Sequence, residues 1–161
     1  MLRIRRVTND DFTNISVLVV NAFGQPNESR LITALRTTGA MAIELVAEDD
    51  EGMVGHLAMS RFDSPENWVA LAPISVRPES QGIGVGRSLV RYALDEARRS
   101  KFDAVVVVGS PGYYGKMGFV FNGPAKLSSP YPQEYTGFYP LSPKVAMTSA
   151  SLSYPQPFSD V

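Results

Sequence analysis

The residues of this sequence best equipped for chemistry stand in one run, Arg77-Pro78-Glu79-Ser80-Gln81-Gly82-Ile83-Gly84-Val85-Gly86-Arg87-Ser88. Three glycines at alternate positions let a backbone turn tightly and approach a ligand with no Cβ in the way. A helix that opens there leaves its first amides unpaired, and its dipole favours negative charge, so the run can cradle a phosphate with Arg87 at the mouth. Two known phosphate motifs do not fit. A dinucleotide fingerprint needs its third glycine three residues after the second, where Arg87 stands. The nucleotide P-loop ends in Gly-Lys-Ser/Thr, but this run reads Gly86-Arg87-Ser88 and its earlier glycines are wrongly spaced. On its glycines alone the run is either a phosphate loop or a plain strand-to-helix turn.

Other chemistries are limited by composition. Cysteine is absent, which excludes disulfides, zinc–thiolate sites and thiol nucleophiles. His56 is the one histidine, so a multi-histidine metal site is excluded and no metal is expected. A net charge of −1 argues against a dedicated nucleic-acid binder. No apolar run approaches the roughly 20 residues that span a bilayer. Met1 to Val7 alternates apolar and basic residues where a signal peptide would be continuously apolar, so a cytoplasmic protein with no membrane partner is the expectation.

The elements that must position the glycine run follow from periodicity. Leu2–Val7 alternates as a strand. Phe12, Ile15, Leu18, Val19, Ala22 and Phe23 recur at helical spacing and end at Gly24, and a weaker helix covers about Asn27 to Arg36. Met41–Glu48 and Met53–Arg61 read as a hairpin, and Trp68–Val76 as a fourth strand interrupted by Pro73. Gly86–Ser100 is strongly amphipathic, with Leu89, Val90, Ala93, Leu94 and Ala97 on one face. Ala104–Val108 is a continuous apolar run, as in a strand buried on both sides, so the unit around the loop is a right-handed βαβ. Phe119–Phe121 and Tyr135–Leu141 are further short strands. The reading is one domain over residues 1–147 and a loosely held tail over 148–161.

Gln81, Gly84 and Gly86 fill the pattern Gln-x-x-Gly-x-Gly, which resembles the signature of the GNAT superfamily of acetyl-CoA-dependent N-acetyltransferases. The resemblance covers roughly Leu2 to Leu141 and is sharpest over Leu71–Phe119, where Leu71–Val76 and Gly112–Phe119 are most similar to its YhbS-like branch. It implies an α/β (α+β by some schemes) fold: one mixed, mostly antiparallel sheet of six to seven strands, helices on both faces and a splayed parallel strand pair. It also implies acetyl-CoA as cosubstrate, with Gln81, Gly82, Ile83, Gly84, Val85, Gly86 and Arg87 at the pyrophosphate and Ile74, Ser75 and Val76 along the pantetheine arm. Ser110 stands in for an asparagine that many members carry. Tyr114, four residues before Gly118-Phe119, is the implied general acid to the thiolate, with the neighbouring Tyr113 as the fallback for that role and a contact to the cofactor. The Val76 amide is implied as the group that polarises the carbonyl.

The resemblance implies a primary amine of a small molecule or peptide as acceptor, and no charge run identifies it. The Gly24–Asn27 loop is implied as one source of specificity, and Tyr131, Tyr135, Phe138 and Tyr139 form a further aromatic group that suits an acceptor pocket, core packing or a homodimer contact. Glu28, Glu44, His56 and Asp63 are all open as the general base. A non-catalytic acyl-CoA-binding or regulatory module is the alternative function.

Overall fold

The computed structural model describes residues 1–160. Its strands are β1 (Arg3–Arg6), β2 (Met41–Asp49), β3 (Gly52–Arg61), β4 (Trp68–Val76), β5 (Ala104–Val108), β6 (Val120–Phe121), β7 (Lys126–Ser128), β8 (Thr136–Pro140) and β9 (Ser149–Ser151). The helices are α1 (Phe12–Phe23), α2 (Asn27–Thr37), α3 (Val85–Arg99) and the one-turn α4 (Pro111–Tyr114). Seven strands make one sheet in the order β1-β2-β3-β4-β5-β8-β6. Every neighbouring pair in it is antiparallel except β4 and β5. This is the mixed, mostly antiparallel sheet implied by the resemblance.

Alternation along the strands divides the core. Ile43, Leu45, Leu57, Met59, Val69, Leu71, Val105 and Val107 face α3, whose Leu89, Val90, Ala93 and Ala97 are buried against them. Residues one step out of phase, among them Val46, Ala70, Ala104 and Val106, face the other layer, built from α1, α2 and the C-terminal segment. Helices therefore cover both faces. Each of the fully buried branched side chains contributes about 1.5–3 kcal/mol by leaving water, which outweighs the weak intrinsic helix preference of an element such as α2.

Two local features prepare the site. Leu57 pairs with Ile74 but Met59 pairs with Leu71, so β4 carries one extra residue around Ala72-Pro73. Proline has no N–H for a ladder, and a bulge is where a strand tolerates it. The parallel pairing of β4 with β5 runs from Trp68/Ala104 to Leu71/Val107 and then stops. Beyond Leu71 the two strands part.

The C-terminal segment differs from its expectation as a loose tail. Ser149–Ser151 pairs in parallel with β7, and Ser153 exchanges backbone hydrogen bonds with Asp63 and Ser64, both at 2.8 Å. Leu152, Pro155 and Phe158 are buried. These elements are so short that none buries more than two residues, which leaves no periodicity to read.

Candidate active site

The glycine run forms the turn between β4 and α3. Gly82 (φ +81°) and Gly84 (φ +92°) both take the left-handed conformation that side-chain-bearing residues avoid, and Gly84 is the cap on which α3 starts. The first amide to bond back is that of Ser88, to the Gly84 carbonyl at 3.0 Å. Among the described residues, the six amides from Gly82 to Arg87 donate to no backbone carbonyl. Gly82, Gly84, Val85, Gly86 and Arg87 line a cleft of about 500 Å³ together with Ile74, Val76, Ser80, Gln81, Tyr113 and Lys116. Arg87 and Lys116 supply two cations at its edge. Gly86 matters for room, because a Cβ there would stand 2.7 Å from the Tyr113 hydroxyl.

Gln81 works on the protein itself. Its side-chain amide donates to the Val76 carbonyl at 3.1 Å, tying the loop to the end of β4. The Arg77 N–H donates to Val54 on β3, so by strand alternation the Val76 N–H points to the opposite edge, into the gap beside β5. That is the orientation a carbonyl-polarising amide requires. Three residues of the sequence reading lie away from the cleft wall. Ser75 is buried on the other face of β4, the Ile83 side chain is 75% exposed, and Ser110 caps α4, its carbonyl accepting from the amides of Tyr113 and Tyr114. Lys116 is the residue that reading missed. Its spacing of three from Tyr113 puts both on one side of the turn.

The adjacent tyrosines diverge. Tyr113 is half-exposed over the glycine cleft, while Tyr114 is buried, with ring centroids 4.9 Å apart in an edge-on arrangement. Gly109 makes this possible, since a Cβ at that position would lie 2.5 Å from the Tyr114 ring. Burial, with a smaller contribution from Tyr113, pushes the Tyr114 phenol up to about 12. It therefore keeps its proton at neutral pH.

Tyr114 lines a second cavity of about 320 Å³ on the opposite side of the sheet. Phe23, Glu28 and Leu31 of α1 and α2, Ala70–Ile74 of β4, Val106, Val108, Tyr131, Tyr154 and Phe158 form the rest of its wall. Ile74 is common to both cavities, which meet where β4 leaves β5. Of the aromatic group noted in the sequence, only Tyr131 reaches this wall. Phe138 is buried, Tyr139 packs on Phe119, and Tyr135 is exposed.

The open candidates for a base separate in the same way. Glu28 lines the second cavity. His56 and Glu44 line neither one; the fully buried His56 ring donates from Nε2 to Glu44 at 2.8 Å, and Arg36 bonds the same carboxylate at 2.6 Å. Burial pushes the Glu44 carboxyl up, but the bonds from His56 and Arg36 outweigh it and hold it below the ordinary range. The Asp63 side chain is exposed outside the cavity wall.

The chain is similar to several known proteins in sequence and in fold. The pattern of the Acetyltransferase (GNAT) family matches residues 6–119. The uncharacterized N-acetyltransferase YhbS of Escherichia coli K12 is 36% identical over 113 residues, 68% of each chain, and YjhQ of the same organism is 33% identical over 131 residues, covering 76% of this chain and 72% of YjhQ. The structure of E. coli YhbS in complex with CoA superposes with a TM-score of 0.88 at 28% identity, over 98% of this chain and 92% of that one. A GNAT family acetyltransferase from Brucella melitensis in complex with acetyl-CoA superposes with a TM-score of 0.83 at 28% identity, over 98% of both chains. A glycine turn with six unpaired amides, a splayed strand pair and two cavities meeting at the splay thus stand on a chain that belongs to the GNAT family of acetyltransferases.

Proposed function

We propose that this protein transfers the acetyl group of acetyl-CoA to a primary amine by direct attack in a ternary complex. The observation that carries the proposal is the row of unpaired amides from Gly82 to Arg87 at a helix N-terminus, all but Ile83 belonging to residues on a cleft that ends at the gap in the sheet. Amides in that state suit a pyrophosphate, and Arg87 and Lys116 suit its charge. Ile74 and Val76 offer an apolar path toward the gap, and the Val76 N–H is free to polarise a carbonyl there. The amine approaches from the second cavity.

The transfer forms a C–N bond, breaks the thioester C–S bond, takes one proton from the amine and gives one to sulfur. Tyr114 has its phenol at about 12, against about 8.5 for a free thiol. Full proton transfer from the phenol to a finished thiolate is therefore uphill. Tyr114 acts best as a hydrogen-bond donor that stabilises the sulfur as charge develops on it, with the phenol proton resupplied from solvent if it leaves.

The test combines binding and turnover. CoA is expected to raise the melting temperature of the protein, and acetyl-CoA with a panel of primary amines is expected to release free thiol. Gly86→Val, which fills the cleft from α3, is expected to abolish the CoA-induced shift while the variant stays folded. Stabilisation by CoA without thiol release from any amine would favour the non-catalytic binding module.

A further inference from the structure

We infer that the acceptor is a small monoamine carrying an apolar or aromatic body, with its ammonium received by Glu28 and its body held by a wall from the C-terminal segment. The inference rests on the transferase reading and names its substrate class. Among the residues that line the second cavity, Glu28 is the one with a charged side chain; there is no lysine, arginine or histidine. A cation therefore has a partner there, whereas an acceptor carboxylate or phosphate has none. Burying such an anion unpaired is costly, which disfavours free amino acids and phosphorylated amines. A single carboxylate also leaves the second and third charges of a polyamine without partners. Before attack the bound ammonium gives one proton through Glu28 to solvent, and the neutral amine loses a second as the C–N bond forms.

The rest of the wall selects the body. Tyr131, Tyr154 and Phe158 stand together on the cavity, with the Tyr154 ring 5.0 Å from Tyr131 and 5.2 Å from Phe158, both edge-on. Phe62 braces Tyr154 from behind at 4.7 Å. Tyr154 is mostly buried, its phenol is raised by that burial, and its hydroxyl makes no well-formed hydrogen bond even to the nearby Ser129. It therefore presents ring rather than hydroxyl. Leu31, Ala72, Pro73 and Val106 complete the apolar lining. At about 320 Å³ the space falls at the low end for small-molecule sites, which favours a compact amine over an extended peptide. Gln25, in the loop between α1 and α2, holds the Glu28 carboxylate from outside at 3.2 Å.

The experiment compares phenethylamine and hexylamine with spermidine, phenylalanine and a lysine peptide at fixed acetyl-CoA, following thiol release. Phenethylamine is expected to have the highest kcat/KM. Glu28→Gln is expected to raise its KM about tenfold or more, the worth of one charge-assisted hydrogen bond, without changing the melting shift produced by CoA. Tyr154→Leu, which keeps an apolar filling, is expected to raise the KM for phenethylamine more than that for hexylamine. Preference for spermidine or the peptide, or an unchanged KM in a folded Glu28→Gln protein, overturns the inference while leaving the transferase reading intact. Failure of CoA to bind, or of every amine to react, overturns the transferase reading itself.

Discussion

At the scale of single residues, the site depends on two adjacent tyrosines that face different ways. Tyr114→Phe removes the proposed donor to sulfur but keeps the ring that packs on Gly109. We expect kcat to fall roughly 10–100-fold, the range of one hydrogen bond to a developing charge, with CoA affinity unchanged. Single-turnover thiol release alongside CoA titration measures both, and an equal loss in Tyr113→Phe would move the role to that residue. The sequence pointed to Tyr114 through its distance from Gly118-Phe119, and the divergence of the pair depends on a feature no motif records. Gly109 has to be a glycine because the Tyr114 ring lies where its Cβ would be. Lys116 was legible in principle from its spacing to Tyr113, whereas Ser75 is placed away from the cleft by strand alternation. A bulge at Ala72-Pro73 shifts that phase, and a bulge cannot be counted from sequence.

Elements with strong periodicity were read nearly to their ends. Helix α3, read as Gly86–Ser100, spans Val85–Arg99, and the hairpin read as Met41–Glu48 and Met53–Arg61 spans Met41–Asp49 and Gly52–Arg61. What the sequence did not yield is held together by scattered single contacts. The pair β7–β9 and the wall of Tyr131, Tyr154 and Phe158 consist of short pieces from distant parts of the chain. The polar triad of Arg36, Glu44 and His56 is another case. It joins α2, β2 and β3, and two of its members, Glu44 and His56, looked from sequence like independent candidates for a base. Packed as they are, they clamp α2 to the sheet. Glu44→Ala should cost about 3 kcal/mol, because it strands Arg36 and a fully buried histidine without their shared partner. Urea denaturation measures it, and a loss below about 1 kcal/mol would show that the triad is replaceable by water.

For the whole molecule, the ionisable groups set a window of stability. Hydrogen bonds from Arg5 hold Asp11 far below the usual carboxylate range and lower Glu48 as well, and Glu44 is lowered by its own partners. Below about pH 4 the unfolded chain takes up protons that these folded carboxylates refuse, so stability falls as pH falls. On the alkaline side the Tyr114 phenol sits at about 12 and Tyr154 is raised too, so the folded state keeps protons that the unfolded chain releases from about pH 10 upward. Stability falls there as pH rises. Urea midpoints at pH 3, 7 and 11 should therefore peak in the middle, and a midpoint at pH 3 equal to that at pH 7 would refute the carboxylate assignment. The parting of β4 from β5 carries a different consequence. Under the proposed function, two cavities that share Ile74 at this parting give donor and acceptor separate entrances. On the proposed reading, spent CoA can leave without waiting for the acetylated amine, and neither substrate blocks the door of the other. Initial-rate lines should then intersect rather than run parallel, and CoA as product inhibitor should compete with acetyl-CoA but not with the amine.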